Sequence, residues 1–362
     1  MRFRLPGRWF GALAALLLLG TGCGRGPASP LGEALVQPAD LYVSPAGDDN
    51  AIGESPDSAL RTIQRALGLV TPGQRVQILP GTYHESIFLQ ETGDPAAPIT
   101  ISGVQGETVL DGHRQLPVAL WCEGCRGLVL ENLAVRNYTD AALVILYSEQ
   151  VVLRGLLVSD SGFDPQVEEW EFEGYGIDVE SSSRVVMERN QVTRIGPKPQ
   201  RPGRLMGSSI VAYDCRDCVI RENLVSDNTG GMVVEDSVGV LVEANLLFDN
   251  NLDATAERWW DGAIWLDGGR DVTLRGNTIR DNLGPGLQIS DEESTGPTGY
   301  VLEGNLVTGN LIGLHLWGFG TWELPGEPTL RASGNQINDN ELGDVFISPG
   351  WCLPPEPCEP DA

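Results

Sequence analysis

The sequence predicts an all-β protein in which short strands stack into one long solenoid. Two observations predict this class: a segment that recurs every twenty-odd residues along the chain, and alternation of apolar and polar residues within each segment. A third is the glycine content, 45 of 362 residues, which is typical of a chain with many turns. The length alone would also allow two ordinary domains, but a repeat of this kind indicates one long domain.

Each repeat consists of a short strand, an asparagine and a second short strand, as in CVIRENLVSDN (218–228). We align the repeats on Asn132, Gly155, Asn190, Asn223, Asn245, Asn277, Asn305 and Asn335. A second asparagine often follows five residues later, at Asn228, Asn250, Asn282, Asn310 and Asn340. Because Asn tolerates the left-handed backbone conformation, we expect these residues to lie between strands and to hydrogen-bond from coil to coil. Each coil should therefore hold three strands that join parallel sheets.

Together with these repeats, the segment SPDSALRTIQRALGLVTPGQRVQILPGTYHES (55–86) resembles the N-terminal module of the right-handed parallel β-helix superfamily, which includes pectate-lyase-like proteins. The resemblance covers residues 40–348 and implies a right-handed parallel β-helix with a capping α-helix at its N-terminal end. Ser58 is the expected N-cap of that helix. Its expected apolar face is Leu60, Ile63, Ala66, Leu67 and Val70. The superfamily holds lyases, hydrolases, epimerases and proteins with no known activity, so the resemblance implies a fold rather than a reaction.

The N-terminus has the pattern of an export signal. Arg2, Arg4 and Arg8 precede an apolar run over 11–20, which ends in small residues before Cys23. This order resembles a bacterial lipoprotein signal, although Gly20 stands where leucine is usual. We expect a signal peptide over 1–22, lipidation of Cys23, a linker over 23–39 and a β-helix over 40–348, followed by a Cys- and Pro-rich tail over 349–362. An ordinary cleaved signal is the alternative. The expected location is outside the cytoplasm, on a membrane.

The chain is strongly acidic, with 24 basic residues against 50 acidic ones and a net charge of −26. Removal of 1–22 would take away three arginines and leave 21 against 50, a net charge of −29. Such a surface disfavours nucleic acid and anionic polymers unless a cation intervenes. It is also what a soluble surface protein would carry without any specific partner. We expect a monomer that does not bind nucleic acid.

Six further cysteines lie in three local pairs: Cys122 and Cys125, Cys215 and Cys218, and Cys352 and Cys358. In an exported chain an even set of this kind predicts disulfides. The two CxxC motifs lie about three coils apart, which at roughly 4.8 Å per coil is too far to share one metal ion. Thiol redox chemistry, separate metal sites and free thiols remain alternatives.

Five insertions flank one strand of the repeat. Residues 160–174, 196–207 and 251–261 precede this strand, and residues 291–299 and 318–328 follow it in later coils. Insertions in a solenoid tend to gather on its functional face, so we expect them to wall a groove over this strand.

Counting back from the aligned asparagines gives two outward columns on that face. They are Glu180, Tyr213, Glu235, Asp267, Ser290 and Trp317, and Asp178, Val211, Val233, Trp265, Gln288 and His315. The predicted catalytic residues are Asp178, Glu180, Tyr213, Glu235 and Asp267. The predicted substrate-binding residues are Trp170, Trp259, Trp260, Trp265, His315 and Trp317. Carboxylates supply acid–base chemistry or bind hydroxyls and Ca²⁺, and aromatic rings stack on sugars, so we expect a polysaccharide ligand.

The sequence does not decide between a glycoside hydrolase, a polysaccharide lyase and a protein without catalytic activity. Glu235 and Asp267 on adjacent coils would lie roughly 4.8 Å apart, which suits a glycoside hydrolase. A polysaccharide lyase would need a base, for which Lys198, Arg201, Arg204 and His315 are the candidates, and a cation such as Ca²⁺ at Asp214 and Asp236. A glycan-binding or structural surface lipoprotein without catalysis is the alternative, because outward residues of an acid-rich β-helix must be polar in any case.

Overall fold

The computed structural model describes residues 38–164, 171–196, 204–251, 262–290, 299–317 and 330–348, with only the backbone of 171–173 and 204–206. Within these ranges the chain winds through three parallel sheets in turn, which confirms the predicted β-helix. Helical residues are confined there to a 3₁₀ turn at Pro56–Ser58 and a short α-helix at Ile63–Leu67. We name the sheets A, B and C in the order in which each coil visits them.

The strands of each sheet pair in register with the equivalent strands of the coils before and after. Sheet A holds Leu41–Val43, Arg75–Ile78, Ile99–Ser102, Arg126–Glu131, Glu149–Arg154, Val186–Glu188, Val219–Arg221, Leu241–Glu243, Thr273–Arg275, Tyr300–Glu303 and Leu330–Ser333. Sheet B holds Gly81–Tyr83, Thr108–Asp111, Ala134–Arg136, Leu157–Ser159, Gln191–Thr193, Leu224–Ser226, Leu246–Phe248, Thr278–Arg280, Leu306–Thr308 and Gln336–Asn338. Sheet C holds Ile87–Gln90, Val118–Glu123, Ala141–Leu146, Glu171–Glu180, Arg204–Tyr213, Met232–Glu235, Ile264–Asp267, Pro285–Ser290, Ile312–Trp317 and Val345–Ser348.

The asparagines form hydrogen-bonded ladders between sheets A and B and after sheet B. The Nδ2 of Asn223 donates to Oδ1 of Asn245 and to the carbonyl of Met187, both at 2.9 Å, and its backbone N–H donates to the same Oδ1 at 2.9 Å. One ladder contains Asn190, Asn223, Asn245, Asn277, Asn305 and Asn335. The other contains Asn228, Asn250, Asn282, Asn310 and Asn340. These contacts satisfy buried backbone groups at the corners after sheets A and B in the coils that the ladders span.

The left-handed residue at these corners is not the ladder asparagine, which corrects our expectation. It is the residue before it, such as Glu222 (φ 56°) or Asp227 (φ 58°), because the asparagine itself must point inward to reach the next coil. Asn132 and Gly155 occupy this left-handed place, with φ of 60° and 62°. Our alignment of Asn132 and Gly155 with the ladder asparagines, which begin at Asn190, is therefore wrong by one residue.

The core is a continuous column of apolar side chains inside the coils. The inward residues of sheet C that the alternation predicted are all buried, including Ile177, Val179, Ile210 and Ala212. The capping helix covers the N-terminal end of this column with Ile63, Ala66 and Leu67. Its N-cap is Thr62, whose side chain accepts from the Arg65 N–H, and not Ser58 as predicted. Ser58 instead closes a capping box with Ser55 on the preceding 3₁₀ turn.

Charged side chains alternate in sign along one column of sheet A. Successive in-register residues are Glu131, Arg154, Glu188, Arg221, Glu243, Arg275 and Glu303. Glu188 is buried and accepts from the guanidinium groups of Arg221 and Arg189. Opposite charges on adjacent coils attract, whereas a slip by one coil would align like charges, so this column favours the observed stacking.

The two CxxC motifs differ in the structure. Cys122 and Cys125 form a disulfide at the corner between sheets C and A, as predicted. Cys215 and Cys218 are free buried thiols, which corrects the prediction for that pair. The Cys215 thiol donates to the Val179 carbonyl at 3.6 Å and the Cys218 thiol to the Ser182 carbonyl at 3.9 Å, so both are accommodated without a disulfide. Cys23, Cys352 and Cys358 lie outside the described residues, as do the predicted signal peptide and tail.

Across the described ranges, no helix is both long and apolar enough to cross a bilayer.

Candidate functional site

The outer face of sheet C has the register that the sequence predicted. Glu180 pairs with Tyr213, Tyr213 with Glu235, and Glu235 with Asp267 on successive coils. The second column runs through Asp178, Val211, Val233, Trp265, Gln288 and His315. The alternation rule therefore placed these residues correctly. The strands Glu171–Glu180 and Arg204–Tyr213 begin within the insertions predicted at 160–174 and 196–207, because the chain before each continues the parallel pairing from Glu171 with Arg204 onward.

Exposure along these columns is uneven, which corrects the expectation of an open face throughout. Tyr213 is 39% exposed, and Glu180 and Glu235 are partly exposed. Asp178 and Asp267 point outward but are nearly buried. The surface available to a large ligand is therefore centred on the side chains of Glu180, Tyr213 and Glu235.

Asp267 is held by a short hydrogen-bonded chain. Ser290 Oγ donates to Asp267 Oδ1 at 2.9 Å, and the indole Nε1 of Trp265 donates to Ser290 Oγ at 2.6 Å. All three residues lie on two adjacent strands of sheet C. The arrangement fixes the carboxylate of Asp267 and uses the polar edge of Trp265, while part of the indole stays exposed.

His315 and Trp317 occupy the predicted columns but are not accessible. His315 is fully buried, stacks on Trp317 with ring centroids 6.0 Å apart, and places its Nε2 3.1 Å from Ser348 Oγ. Phe346, its in-register neighbour on the next coil, packs against it with ring centroids 5.5 Å apart. Burial lowers the pKa of His315 to about 4, so its ring is neutral at physiological pH. Both residues thus pack the C-terminal coils instead of lining an open groove, which corrects their assignment to substrate binding.

Asp214 and Asp236 follow the outward column at the corner between sheets C and A. Both adopt the left-handed conformation, with φ of 47°. Asp214 Oδ2 accepts a hydrogen bond from Ser181 Oγ at 3.0 Å. In the part of the chain that the structure describes, no group of three or more His, Cys, Asp or Glu side chains is arranged to hold a metal ion. The left-handed turn explains the residue type at both positions without a metal.

Sequence analysis missed an aromatic surface on the N-terminal coils of the same face. Phe88 and Trp121 are in-register neighbours on adjacent strands and head the column that continues into Val144 and Asp178. Phe88 is 57% exposed. Trp121 packs with Tyr175 and Leu146 on a small apolar cluster of Val118, Ala141 and Val144. Extending the same outward count from Asp178 by three coils toward the N-terminus would have found both.

The outer face of sheet C is acidic and poor in cations. In its described side chains the ionisable residues that point outward are Glu123, Asp178, Glu180, Glu235, Asp267 and the neutral His315. The arginines of the described coils gather instead on sheets A and B and their corners, for example Arg154, Arg221 and Arg280. Trp170, Trp259, Trp260, Lys198 and Arg201 lie outside the described residues, and of Arg204 only the backbone is described.

Comparison with known proteins defines the class. The family model "Right handed beta helix region" matches residues 119–348, well over half of the chain. The chain therefore belongs to the right-handed β-helix family. The fold and the pattern of its repeats agree with that assignment.

Two curated relatives have detectable sequence similarity. The uncharacterized protein YwoF of Bacillus subtilis (strain 168) is 25% identical over 284 residues, which cover 67% of this chain and 56% of YwoF. The pectate lyase PEL9 of Emericella nidulans is 36% identical over 81 residues, which cover 22% of this chain and 20% of that enzyme. The matches thus span little more than half of the first relative and a fifth of the second.

Solved structures with a similar fold include the A-module of the Azotobacter vinelandii mannuronan C-5 epimerase AlgE6, at a TM-score of 0.56 and 14% identity over 79% of this chain and 74% of that one. Pectate lyase Pel9A follows at 0.54 and 14% identity, covering 83% of this chain and 78% of its own. XylC, whose structure was solved with xylose, has a TM-score of 0.52 and 9% identity, covering 86% of this chain and 67% of XylC. At these identities the similarity establishes the fold alone.

Proposed function

We propose that this chain binds a polysaccharide along the outer face of sheet C and hydrolyses it there. The observation that carries the proposal is the in-register column of Glu180, Tyr213, Glu235 and Asp267. Two carboxylates on adjacent coils provide the acid and the base or nucleophile that glycoside hydrolysis requires. Phe88 and Trp121 lead into the same column and offer apolar faces on which sugar rings stack. That the structurally similar proteins include polysaccharide-modifying enzymes supports this class of ligand.

The electrostatics of the face favour a neutral or cationic glycan. A uronate polymer would bring its own negative charges against Glu180, Glu235 and Asp267, and no cationic side chain opposes them on the described outer face of sheet C. Eliminative cleavage would also need a base beside the sugar. Of the predicted candidates, His315 is buried and packed against Trp317 and Phe346, and the side chains of Lys198, Arg201 and Arg204 lie outside the described residues. The acidic charge of the described face therefore favours hydrolysis over the lyase reaction.

Non-catalytic glycan binding is the second candidate, and the position of Asp267 favours it. This carboxylate is 3% exposed and accepts from Ser290, so it is less available to a glycosidic oxygen than Glu235 is. In that case the exposed aromatic and acidic residues would bind sugars without cleaving them.

The location and the ion requirement complete the proposal. We propose that the chain is exported and anchored through a lipid on Cys23. For Ca²⁺ the candidates are Asp214 and Asp236, at equivalent corners of adjacent coils. An ion held there would compensate the acidic face and allow a uronate polymer to approach, so Ca²⁺ would change the substrate class.

The test is an assay of the purified full chain on neutral, amino-sugar and uronate polysaccharides, with Ca²⁺ and with chelator. New reducing ends and the absorbance of unsaturated uronates are followed together. We expect reducing ends without unsaturation on a neutral or amino-sugar polymer, and loss of activity in Glu235→Gln. Ile52→Ala, an exposed residue that follows the first strand of sheet A, is the control.

Three other outcomes would contradict the hydrolase. Unsaturated product that disappears with chelator would establish a Ca²⁺-dependent lyase. Binding to one glycan without any new ends would establish the non-catalytic function. Neither binding nor cleavage on any polymer would remove the proposal altogether.

A further inference from the structure

Two of the three histidines of the chain, His84 and His113, contact each other at the ends of sheet B strands, away from the outer face of sheet C. His84 follows the sheet B strand Gly81–Tyr83, and His113 follows the next sheet B strand, Thr108–Asp111. Their rings stack with centroids 3.9 Å apart and an interplanar angle of 26°. The two Nε2 atoms are 3.1 Å apart, and both rings are exposed to solvent.

Asp111 lies at the Nδ1 atoms of both rings, on the side away from the two Nε2 atoms. The Nδ1 of His84 lies 2.9 Å from the Asp111 carbonyl oxygen, which can only accept, so this nitrogen carries the hydrogen. The Nδ1 of His113 faces the Asp111 carboxylate at 3.8 Å, which favours a hydrogen on that nitrogen too. Arg136, Asn137 and the His113 N–H bind the same carboxylate and fix its position.

This arrangement places two imidazole nitrogens side by side, one on each of the stacked rings. With both Nδ1 atoms protonated, a neutral ring of either residue presents an unprotonated Nε2. Two such nitrogens 3.1 Å apart repel each other unless a positive charge lies near them. His113 is also held in the left-handed conformation, with φ of 52°, by the Asp111 side chain that accepts from its N–H. The loop thus keeps the ring beside His84 at some cost in backbone strain.

We propose that His84 and His113 bind one Zn²⁺ or Cu²⁺ ion through their Nε2 atoms. The observed separation lets both Nε2 atoms reach one ion at metal–nitrogen distances of about 2.0–2.1 Å, provided that the two exposed rings turn from their stacked arrangement so that both in-plane lone pairs point at the ion. A carboxylate or carbonyl on the far nitrogen of a ring is the outer-shell pattern of histidine ligands. The Asp111 carbonyl accepts from His84 Nδ1 at 2.9 Å, and the Asp111 carboxylate lies 3.8 Å from His113 Nδ1. Water would complete the coordination, since Asp111 is directed at the Nδ1 atoms.

The site is independent of the proposed polysaccharide function, because it uses sheet B corners and none of the residues of sheet C. Imidazole prefers ions such as Zn²⁺ and Cu²⁺ over Ca²⁺. The ion bound at His84 and His113 is therefore expected to differ from the Ca²⁺ proposed at Asp214 and Asp236. Asp111 acts here as a positioning residue for the two ligands.

The experiment uses the full chain after treatment with chelator, titrated calorimetrically with Zn²⁺. We expect a binding event that weakens at least about tenfold in His84→Ala and in His113→Ala and is unchanged in Gln115→Ala, an exposed neighbour. With Cu²⁺, electron paramagnetic resonance should show hyperfine coupling to two imidazole nitrogens in the wild-type protein and to one in each histidine variant. Asp111→Asn should lower the affinity roughly 10–100-fold while both nitrogen couplings remain.

The proposal is overturned if both histidine variants bind Zn²⁺ as tightly as the wild-type chain, or if Cu²⁺ spectra lack the two nitrogen couplings. In the second case a proton would bridge the rings. Folding is checked by thermal unfolding with chelator present, where His84→Ala and His113→Ala, both at exposed side chains, should unfold at the same temperature as the wild type. A variant that fails this check is replaced by the glutamine substitution at the same position.

Discussion

Ser290 donates a hydrogen bond to Asp267, its in-register neighbour on the preceding coil, with 2.9 Å between Oγ and Oδ1. The same hydroxyl accepts from the indole of Trp265 at 2.6 Å. A buried serine thus connects the most enclosed carboxylate of the proposed site to its half-exposed tryptophan. The contact determines how far Asp267 can move toward a ligand.

Removal of this hydroxyl should destabilise the fold. In Ser290→Ala the Trp265 N–H and an Asp267 oxygen lose a buried partner, so we expect the free energy of unfolding to fall by about 1–3 kcal/mol. Urea denaturation followed by tryptophan fluorescence measures it. Ser333→Ala, at an exposed strand end of sheet A, should change stability by less than about 0.5 kcal/mol. Equal effects in the two variants would contradict the role of the hydroxyl.

The interior of an asparagine ladder should matter more than its end. Asn245→Ala removes bonds to Asn223, Asn277 and the Ile220 carbonyl, all buried, and should cost about 2–4 kcal/mol. Asn340→Ala affects the last, partly exposed rung of the second ladder and should cost about half as much or less. Chemical denaturation of both variants decides the point. A larger loss at Asn340 would disprove this interpretation of the ladders.

Glu188 should make stability depend on pH in the acidic range. Burial alone would raise the pKa of Glu188, but hydrogen bonds and charges from Arg221 and Arg189 outweigh it and hold the pKa below 4.5. A lowered pKa in the folded state means that the ionised form stabilises the fold at neutral pH. This contribution is lost as the pH falls below 4.5 and through the folded-state pKa.

We therefore expect Glu188→Gln to be less stable than the wild type near pH 7 and the difference to shrink toward pH 3. Unfolding curves at several pH values measure it. Glu222→Gln, in which the lost carboxylate is exposed, should show a small difference at every pH. A difference for Glu188→Gln that grows on acidification would contradict the assignment.

Cys215 and Cys218 should resist thiol reagents in the native protein. Both are buried, so a reagent in solution does not reach either sulfur in the folded chain. In addition, the hydrogen bond with Cys218, together with burial, raises the pKa of Cys215, which disfavours the thiolate of that residue. We expect peptide mass spectrometry to find both unlabelled in native protein and labelled after unfolding without reductant. The Cys122–Cys125 peptide should need reductant in either state. A linked Cys215–Cys218 peptide under non-reducing conditions would restore the original disulfide prediction.

Trp121 should contribute to glycan affinity if the proposed function is correct. Loss of an aromatic contact at the centre of a binding surface costs about 1.4 kcal/mol or more, so Trp121→Ala should weaken binding about tenfold or further. The measurement is affinity for the glycan selected by the polysaccharide screen. Phe248→Ala removes an aromatic ring from sheet B and should leave affinity unchanged. Equal affinities for Trp121→Ala and wild type would place the ligand elsewhere.

Local patterns in the sequence determined the coil, its three strands and the outward columns. Side chains of a strand alternate between two faces, so the apolar alternation fixed which residues of each strand point inward. This is why Glu180, Tyr213, Glu235 and Asp267 could be placed on one face without a structure. The same rule, applied only to the later coils, left Phe88 and Trp121 unnoticed.

The tertiary structure decided which outward side chains are buried and which residues of different coils contact each other. Alternation says that His315 and Asp267 point away from the core, but contacts with residues distant in the chain decide whether an outward side chain meets solvent. The left-handed place before each ladder asparagine, the free thiols of Cys215 and Cys218, and the meeting of His84 with His113 likewise depend on how one coil stacks on the next. Sequence fixes the direction of a side chain through its immediate neighbours, whereas its exposure and partners depend on residues twenty or more positions away, which only the folded chain brings together.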